Sequence, residues 1–306
     1  MRIGINGSSL IALGSPTSAI ADHAAQAEAD GFSTYWMAQL FVPDTLTAMV
    51  SVAAATSSIE LGTAVVPTWL RHPLMLAAQA LTVQEISGGR VTLGIGLAHK
   101  EMIEQTLKVP FERPARNMAE YLSVLLPALH ERQVSFDGDY WSAEVESIIA
   151  PADVSAPSVM LAAMGPRMLA LAGGRTDGTI LWLSGPRTIE TTLAPAVTAA
   201  AEQAGRPAPR IVASVPVCVT DDPDRVRGMI GAMLANYNDL PSYRAMMDIE
   251  GVDGPAGVAV VGGEDEVRTH LARFADAGTT DFSALEFPTD DDKAARTRAL
   301  LTELAG

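Results

Sequence analysis

The sequence predicts a (β/α)8 barrel, a TIM barrel of the α/β class, with insertions after its fourth and seventh strands. Three observations carry this expectation. Short β-rich runs alternate with longer helical stretches almost to the end of the chain. The runs are continuously apolar rather than alternating, as expected of parallel strands covered on both faces. Eight strands and about eight helices in strict alternation match the repeat of a closed barrel. A doubly wound sheet shares the pattern, because periodicity does not report closure.

The strands are expected at Arg2–Asn6, Ser33–Met37, Glu60–Val66, Val91–Gly96, Ser158–Ala163, Thr179–Leu183, Ile211–Val219 and Asp281–Phe287. Between them lie helices with readable punctuation. Pro73 sits in a first turn, where its missing N–H costs nothing, and Gly88-Gly89 ends that helix. Val267, Leu271 and Phe274 share one helical face that stops at Gly278. Asp290-Asp291-Asp292 opens the last helix, where the macrodipole favours acidic groups. Two excursions break the rhythm. Residues 101–157 hold a helix around Ala115–His130 and a hairpin, Val134–Tyr140, turning at Asp137-Gly138. Residues 236–262 hold Tyr237, Pro241, Tyr243 and a Gly-rich stretch. Functional loops of a barrel follow its strands' C-terminal ends, so these insertions are expected to build a substrate pocket. Residues 1–306 read as a single barrel domain.

Composition excludes several classes. The chain is 48% hydrophobic and 19% charged, which rules out disorder. A net charge of −15 has the wrong sign for a nucleic-acid binder, so an anionic ligand needs local basic groups and backbone N–H donors. One cysteine, Cys218, allows no disulfide framework and no zinc motif, which fits a reducing cytoplasm. No apolar run reaches the roughly 18 residues of a membrane helix.

Candidate site residues follow from strand ends. Gly94-Ile95-Gly96-Leu97-Ala98-His99 begins like a dinucleotide loop, but His99 stands where the third glycine belongs. The segment instead reads as a strand end that something can approach, followed by a titratable imidazole. Met164-Gly165-Pro166-Arg167 opens a helix with free first-turn amides and a guanidinium, a site suited to an anion. Trp69, Arg71 and His72 follow the third strand; His72, before a proline, reads as structural. Trp36 and Trp182 read as barrel filling, and His23, His130 and His270 as surface residues. No metal site is expected.

Taken together, Leu61–Pro73, Glu85–Gly96, Ala162–Arg167 and Thr176–Thr179 are similar to segments of the bacterial luciferase-like family. The resemblance runs from residue 1 to about 288. Within the family it is nearest the deazaflavin (coenzyme F420)-dependent oxidoreductases of actinobacterial type, near methylenetetrahydromethanopterin reductase. It implies a TIM barrel with the cofactor ring at the mouth, backed by a non-proline cis peptide at Ala64–Val65. Cofactor contacts would come from Ala64, Val65, Gly96, Ala163, Gly165, Pro166 and Arg167. Trp69, Trp182 and Tyr243 would line the substrate pocket. His99 falls where sugar-phosphate-oxidising relatives carry a glutamate. Those relatives have Asp-His where this chain has Gln39-Leu40, so the usual base is missing. His99, as proton donor, and Gln39, as hydrogen-bonding partner, are the catalytic candidates.

The expected function is hydride transfer between F420 and a small imine, activated alkene or carbonyl. An FMN-dependent monooxygenase and a non-catalytic flavin- or deazaflavin-binding barrel are the alternatives. The resemblance also suggests a homodimer, and Arg71 and Arg167 as partners for an anionic cofactor tail.

Overall fold

The computed structural model describes residues 1–151 and 153–306, apart from the side chain of Leu70. Residue 152, inside the expected first excursion, lies outside that description. Among the described residues, eight parallel strands close into a barrel. They are β1 (Arg2–Asn6), β2 (Thr34–Met37), β3 (Glu60–Thr63), β4 (Val91–Gly96), β5 (Ser158–Ala162), β6 (Gly178–Trp182), β7 (Arg210–Val219) and β8 (Asp281–Glu286). Each pairs with the next, and β8 returns to β1 with Arg2 beside Asp281 and Ile5 beside Ala284. Closure distinguishes this fold from the doubly wound sheet.

Every expected strand is present within a residue or two of its expected ends except the third. Its ladder stops at Thr63 and resumes at Val66–Pro67, which pairs with Ile95 and Gly96. Between the two pieces the Ala64–Val65 peptide is cis. The amide of Ala64 donates to the Met37 carbonyl at 2.8 Å, and the amide of Gln39 to the Val65 carbonyl at 3.3 Å.

The surrounding helices include α1 (Thr17–Ala29), α2 (Thr45–Ala55), α3 (Pro73–Ile86), α4 (Pro114–His130), α5 (Pro166–Arg175), α6 (Ala194–Gln203), α7 (Pro223–Met233), α8 (Pro241–Glu250), α9 (Glu264–Asp276) and α10 (Asp291–Ala305). Proline occupies the first turn of α3, α4 and α5, as the chain's punctuation required. His72 is structural, as expected: Nδ1 accepts from the Leu74 amide at 3.2 Å and caps α3. Asp290 caps α10 by accepting from the Lys293 amide at 3.0 Å. The first excursion carries α4 and a hairpin, Val134–Asp137 with Ser142–Val145. The second carries α8 and a short strand, Val260–Gly262, which the Gly-rich sequence hid and which pairs with the end of β7.

Trp36, Met160, Ile180 and Val212 fill the barrel interior. A Cβ on Gly94 would lie 1.9 Å from the Thr63 carbonyl oxygen, so only glycine lets β3 and β4 approach this closely. The opposite end is closed by charge. Arg210 donates to Glu60 at 2.8 Å and to Asp281 at 2.7 Å, while Arg2 donates to Glu60 at 2.7 Å and lies 3.2 Å from Asp281. Asp281 is only 2% exposed. Burial pushes Glu60 up, but Arg210 and hydrogen bonds from Thr92, Arg2 and Arg210 outweigh it and hold its carboxyl below the usual range.

Two expected surface histidines are not simple surface groups. His23 is half-buried, with Nδ1 3.0 Å from the Tyr35 hydroxyl and Nε2 2.8 Å from Arg298, which also pairs with Glu286. Its partners lie 12 and 275 residues away, beyond any local spacing rule. His270 is also partly buried, and burial pushes its imidazole below its ordinary value.

Glu28 ties α1 to the turn before β3. Its carboxylate accepts from the amides of Ser57 at 3.0 Å and Ile59 at 2.8 Å, and also from that of Ser58. Burial raises its pKa, but these amides prevail and bring it to about 2. The sign follows: this stabilisation is complete above pH 4.5 and disappears as pH falls toward 2. Glu28→Gln is expected to cost about 1–2 kcal/mol at pH 7 and little at pH 2. Urea melts of both proteins at the two pH values check this; an equal loss at both would refute the charge-assisted account.

Candidate active site at the barrel mouth

The site assembles where the strands end, because side chains past each C-terminal end converge on the mouth. The Ala64–Val65 bulge lies over β4: a Cβ on Gly96 would come within 2.6 Å of Val65 Cγ2 and 3.2 Å of Ala162 Cβ. Glycine there therefore serves close packing of bulge, β4 and β5. Ala163 is buried just past β5, its carbonyl 3.4 Å from the Thr179 hydroxyl.

Next comes α5. Gly165 caps it without any side-chain hydrogen bond, and the space where its Cβ would stand has no atom within 4 Å. The first-turn amides of Arg167 and Met168 are thus open to an acceptor. Gly165, Pro166 and Arg167 line a cleft of about 620 Å³, whose other wall is the start of α4 with Arg113 and Arg116. In a chain of net charge −15, two helix starts with Arg113 and Arg167 around one cleft suit an anion, while Arg116 is paired with Glu120 at 3.1 Å and Asp139 at 2.5 Å.

An aromatic group gathers at the strands that flank β5. His99, past the end of β4, packs edge-on against Tyr237 at 5.5 Å and Tyr243 at 5.7 Å. The two tyrosine rings are 4.7 Å apart, and Trp182 lies 6.4 Å from Tyr237. Burial pushes the His99 imidazole below its ordinary value, with Glu101 opposing. It is therefore mainly neutral at pH 7. Burial also raises the Tyr237 and Tyr243 phenols, which stay protonated. Trp69 packs on Phe111 at 5.2 Å, and its indole N–H is buried with no hydrogen-bond partner among the described residues.

The structure thus brings together His99, Trp182 and Tyr243 from three distant segments and adds Tyr237, to which sequence reasoning gave no role. Its only signal was an aromatic ring in the second excursion. Trp182, half-buried, belongs to this group rather than to the barrel filling. Gln39 follows β2. Its carbonyl oxygen accepts from the Thr45 amide at 2.9 Å and from Arg71 at 3.1 Å, while its amide donates to the Leu40 carbonyl at 2.9 Å. These bonds fix the loop after β2, and the second side-chain N–H of Gln39 has no partner among the described residues. Arg71 also pairs with Asp44 and donates to Gln79 at 2.9 Å, so its charge is largely shared within this loop.

Fold and site together define a barrel enzyme acting on small molecules at the C-terminal mouth of its strands. Comparisons with known proteins agree. The sequence pattern of the luciferase-like monooxygenase family matches residues 3–281. The chain is 28% identical over 251 residues to a 5,10-methylenetetrahydromethanopterin reductase of Methanolobus tindarius, across 81% of this chain and 75% of that protein. It is 32% identical over 256 residues to an F420-dependent glucose-6-phosphate dehydrogenase of Beutenbergia cavernae, across 82% and 70% of the two chains. The solved coenzyme F420-dependent tetrahydromethanopterin reductase of Methanopyrus kandleri shares the fold, with a TM-score of 0.81 at 21% identity over 99% of this chain and 97% of that one. The chain belongs to the luciferase-like monooxygenase family and is an oxidoreductase.

Proposed function

We propose that this protein binds coenzyme F420 and exchanges a hydride between it and a small organic substrate bearing a carbonyl, imine or activated alkene. The observation that carries the reading is the uncapped start of α5 and its arginine-lined cleft, which fit the anionic part of such a cofactor. The similarity to F420-dependent relatives supports the choice of cofactor. The orphaned Trp69 indole N–H offers a further buried donor. Ala64, Val65, Gly96 and Ala163 would flank the ring, and Gly165, Pro166 and Arg167 the phosphate. When bound, the deazaflavin supplies two-electron hydride chemistry at its C5.

This chain's own residues then move the proton and exclude water. Neutral His99 accepts a proton at a ring nitrogen when a substrate hydroxyl is oxidised, and returns it when a carbonyl is reduced. Tyr237 and Tyr243 pack edge-on against the imidazole, Trp182 stands behind Tyr237, and the group would keep water from the proton path.

The test is a fluorescence-quenching titration of the purified protein with F420 and with FMN. The expected result is binding of F420 at least tenfold tighter than FMN. Preference for FMN would move the protein to flavin oxygenase chemistry, and binding of neither would remove the cofactor assignment. Arg167→Glu is expected to weaken F420 about 5- to 30-fold at low salt, with the penalty shrinking as salt is added. An unchanged Kd would take Arg167 out of the cofactor site.

A further inference from the structure

We propose that the mouth is built for an uncharged, ring-bearing substrate, and that Tyr237 is the residue that determines this specificity. The proposal rests on the F420 reading for the reaction, whereas the binding chemistry follows from the side chains alone. Four rings from three parts of the chain meet here: His99 after β4, Trp182 at the end of β6, and Tyr237 and Tyr243 from the second excursion. Tyr237 is the hub. It packs against each of the other three, at 5.5, 6.4 and 4.7 Å.

Aromatic walls reward a flat ring through area and quadrupole, and they return nothing for the hydration that a carboxylate or phosphate loses on entry. Three cations of the surrounding segments have other partners. Arg71 serves Asp44, Gln39 and Gln79. Arg244 serves Asp248 and the carbonyls of Val252 and Asp253. Lys100 lies 3.8 Å from Glu104. Within the aromatic group itself the polar atoms are neutral donors, the phenols and the imidazole, which suit the oxygen or nitrogen of an uncharged carbonyl or imine. The basic cleft follows β5, between the strands that carry His99 and Trp182, and none of the four rings lines it, so the anionic ligand and the neutral substrate would meet different side chains.

The experiment measures binding to the full chain, with and without F420, by calorimetry. The probes are benzaldehyde and cyclohex-2-enone, against 4-carboxybenzaldehyde and glucose 6-phosphate. Each neutral ring is expected to bind at least tenfold tighter than 4-carboxybenzaldehyde, and glucose 6-phosphate not to bind once F420 occupies the basic cleft. Tyr237→Ala is expected to weaken the neutral rings at least tenfold and to shrink the discrimination, while Tyr237→Phe keeps both. If Tyr237→Ala fails to fold, Trp182→Leu replaces it with the same expectation. Equal binding of a charged probe, no binding of either neutral ring, or a Tyr237→Ala protein that binds like the wild type overturns the proposal. F420 binding without ring binding leaves the cofactor reading intact and sinks the proposal. Ring binding without F420 binding does the reverse.

Discussion

His99→Ala is expected to lower turnover about 10²- to 10⁴-fold, the usual contribution of a positioned acid–base group, while F420 affinity stays within a few-fold. His99 packs among the aromatic rings and does not line the arginine-bearing cleft at α5. The pH profile supplies the diagnostic sign. Burial holds the imidazole below its ordinary value, so its free base predominates at neutral pH. Oxidation of an alcohol is then expected to rise through the acidic range and level off toward neutral pH. Reduction should fall over the same window, because it needs the protonated ring. His99→Ala flattens both limbs. Steady-state rates from pH 5 to 8 in both directions check this, and unaltered pH limbs in the variant would remove His99 from the proton path.

Arg210→Ala is expected to be the most destabilising of these substitutions, by about 3–5 kcal/mol at neutral pH. That corresponds to a fall in Tm of roughly 5–15 °C. The guanidinium bridges Glu60 and Asp281 at the closed end of the barrel, and its loss leaves two carboxylates packed beside one another with Arg2 as their remaining cation. Arg210→Lys should recover part of the loss, since it keeps the charge but not the two-armed geometry. Glu60 titrates below its ordinary range in the folded protein, so the wild type's advantage is complete above pH 4.5 and is lost as pH falls through the lower folded value. Thermal melts from pH 3 to 8 should therefore converge at the acid end. A constant difference across that range would show that the cluster acts through packing, not charge.

Much of the site was legible because its signals are local. His99 could be singled out as a titratable group just past a strand ending in glycine. Gly165-Pro166-Arg167 could be read as a helix start because proline fits only there and glycine leaves its amides bare. The partners of Gln39 and Arg71 are hidden for the opposite reason. Each looks available in sequence, yet they satisfy one another across 32 residues, and Arg71 meets Asp44 across 27. The short Val260–Gly262 strand was hidden because its pairing with β7 depends on a neighbour about 40 residues away.

The sequence by itself determined the eight strands, several helix starts and the family, since each depends on residues that are near one another in the chain. Only the tertiary structure decided that the sheet closes, that Arg210 reaches Glu60 across 150 residues, and that Tyr237 gathers His99, Tyr243 and Trp182 around itself. The division has one physical cause. Local propensity fixes which residues form an element, whereas burial of each element's apolar face fixes which elements meet, and the chemistry sits where they meet.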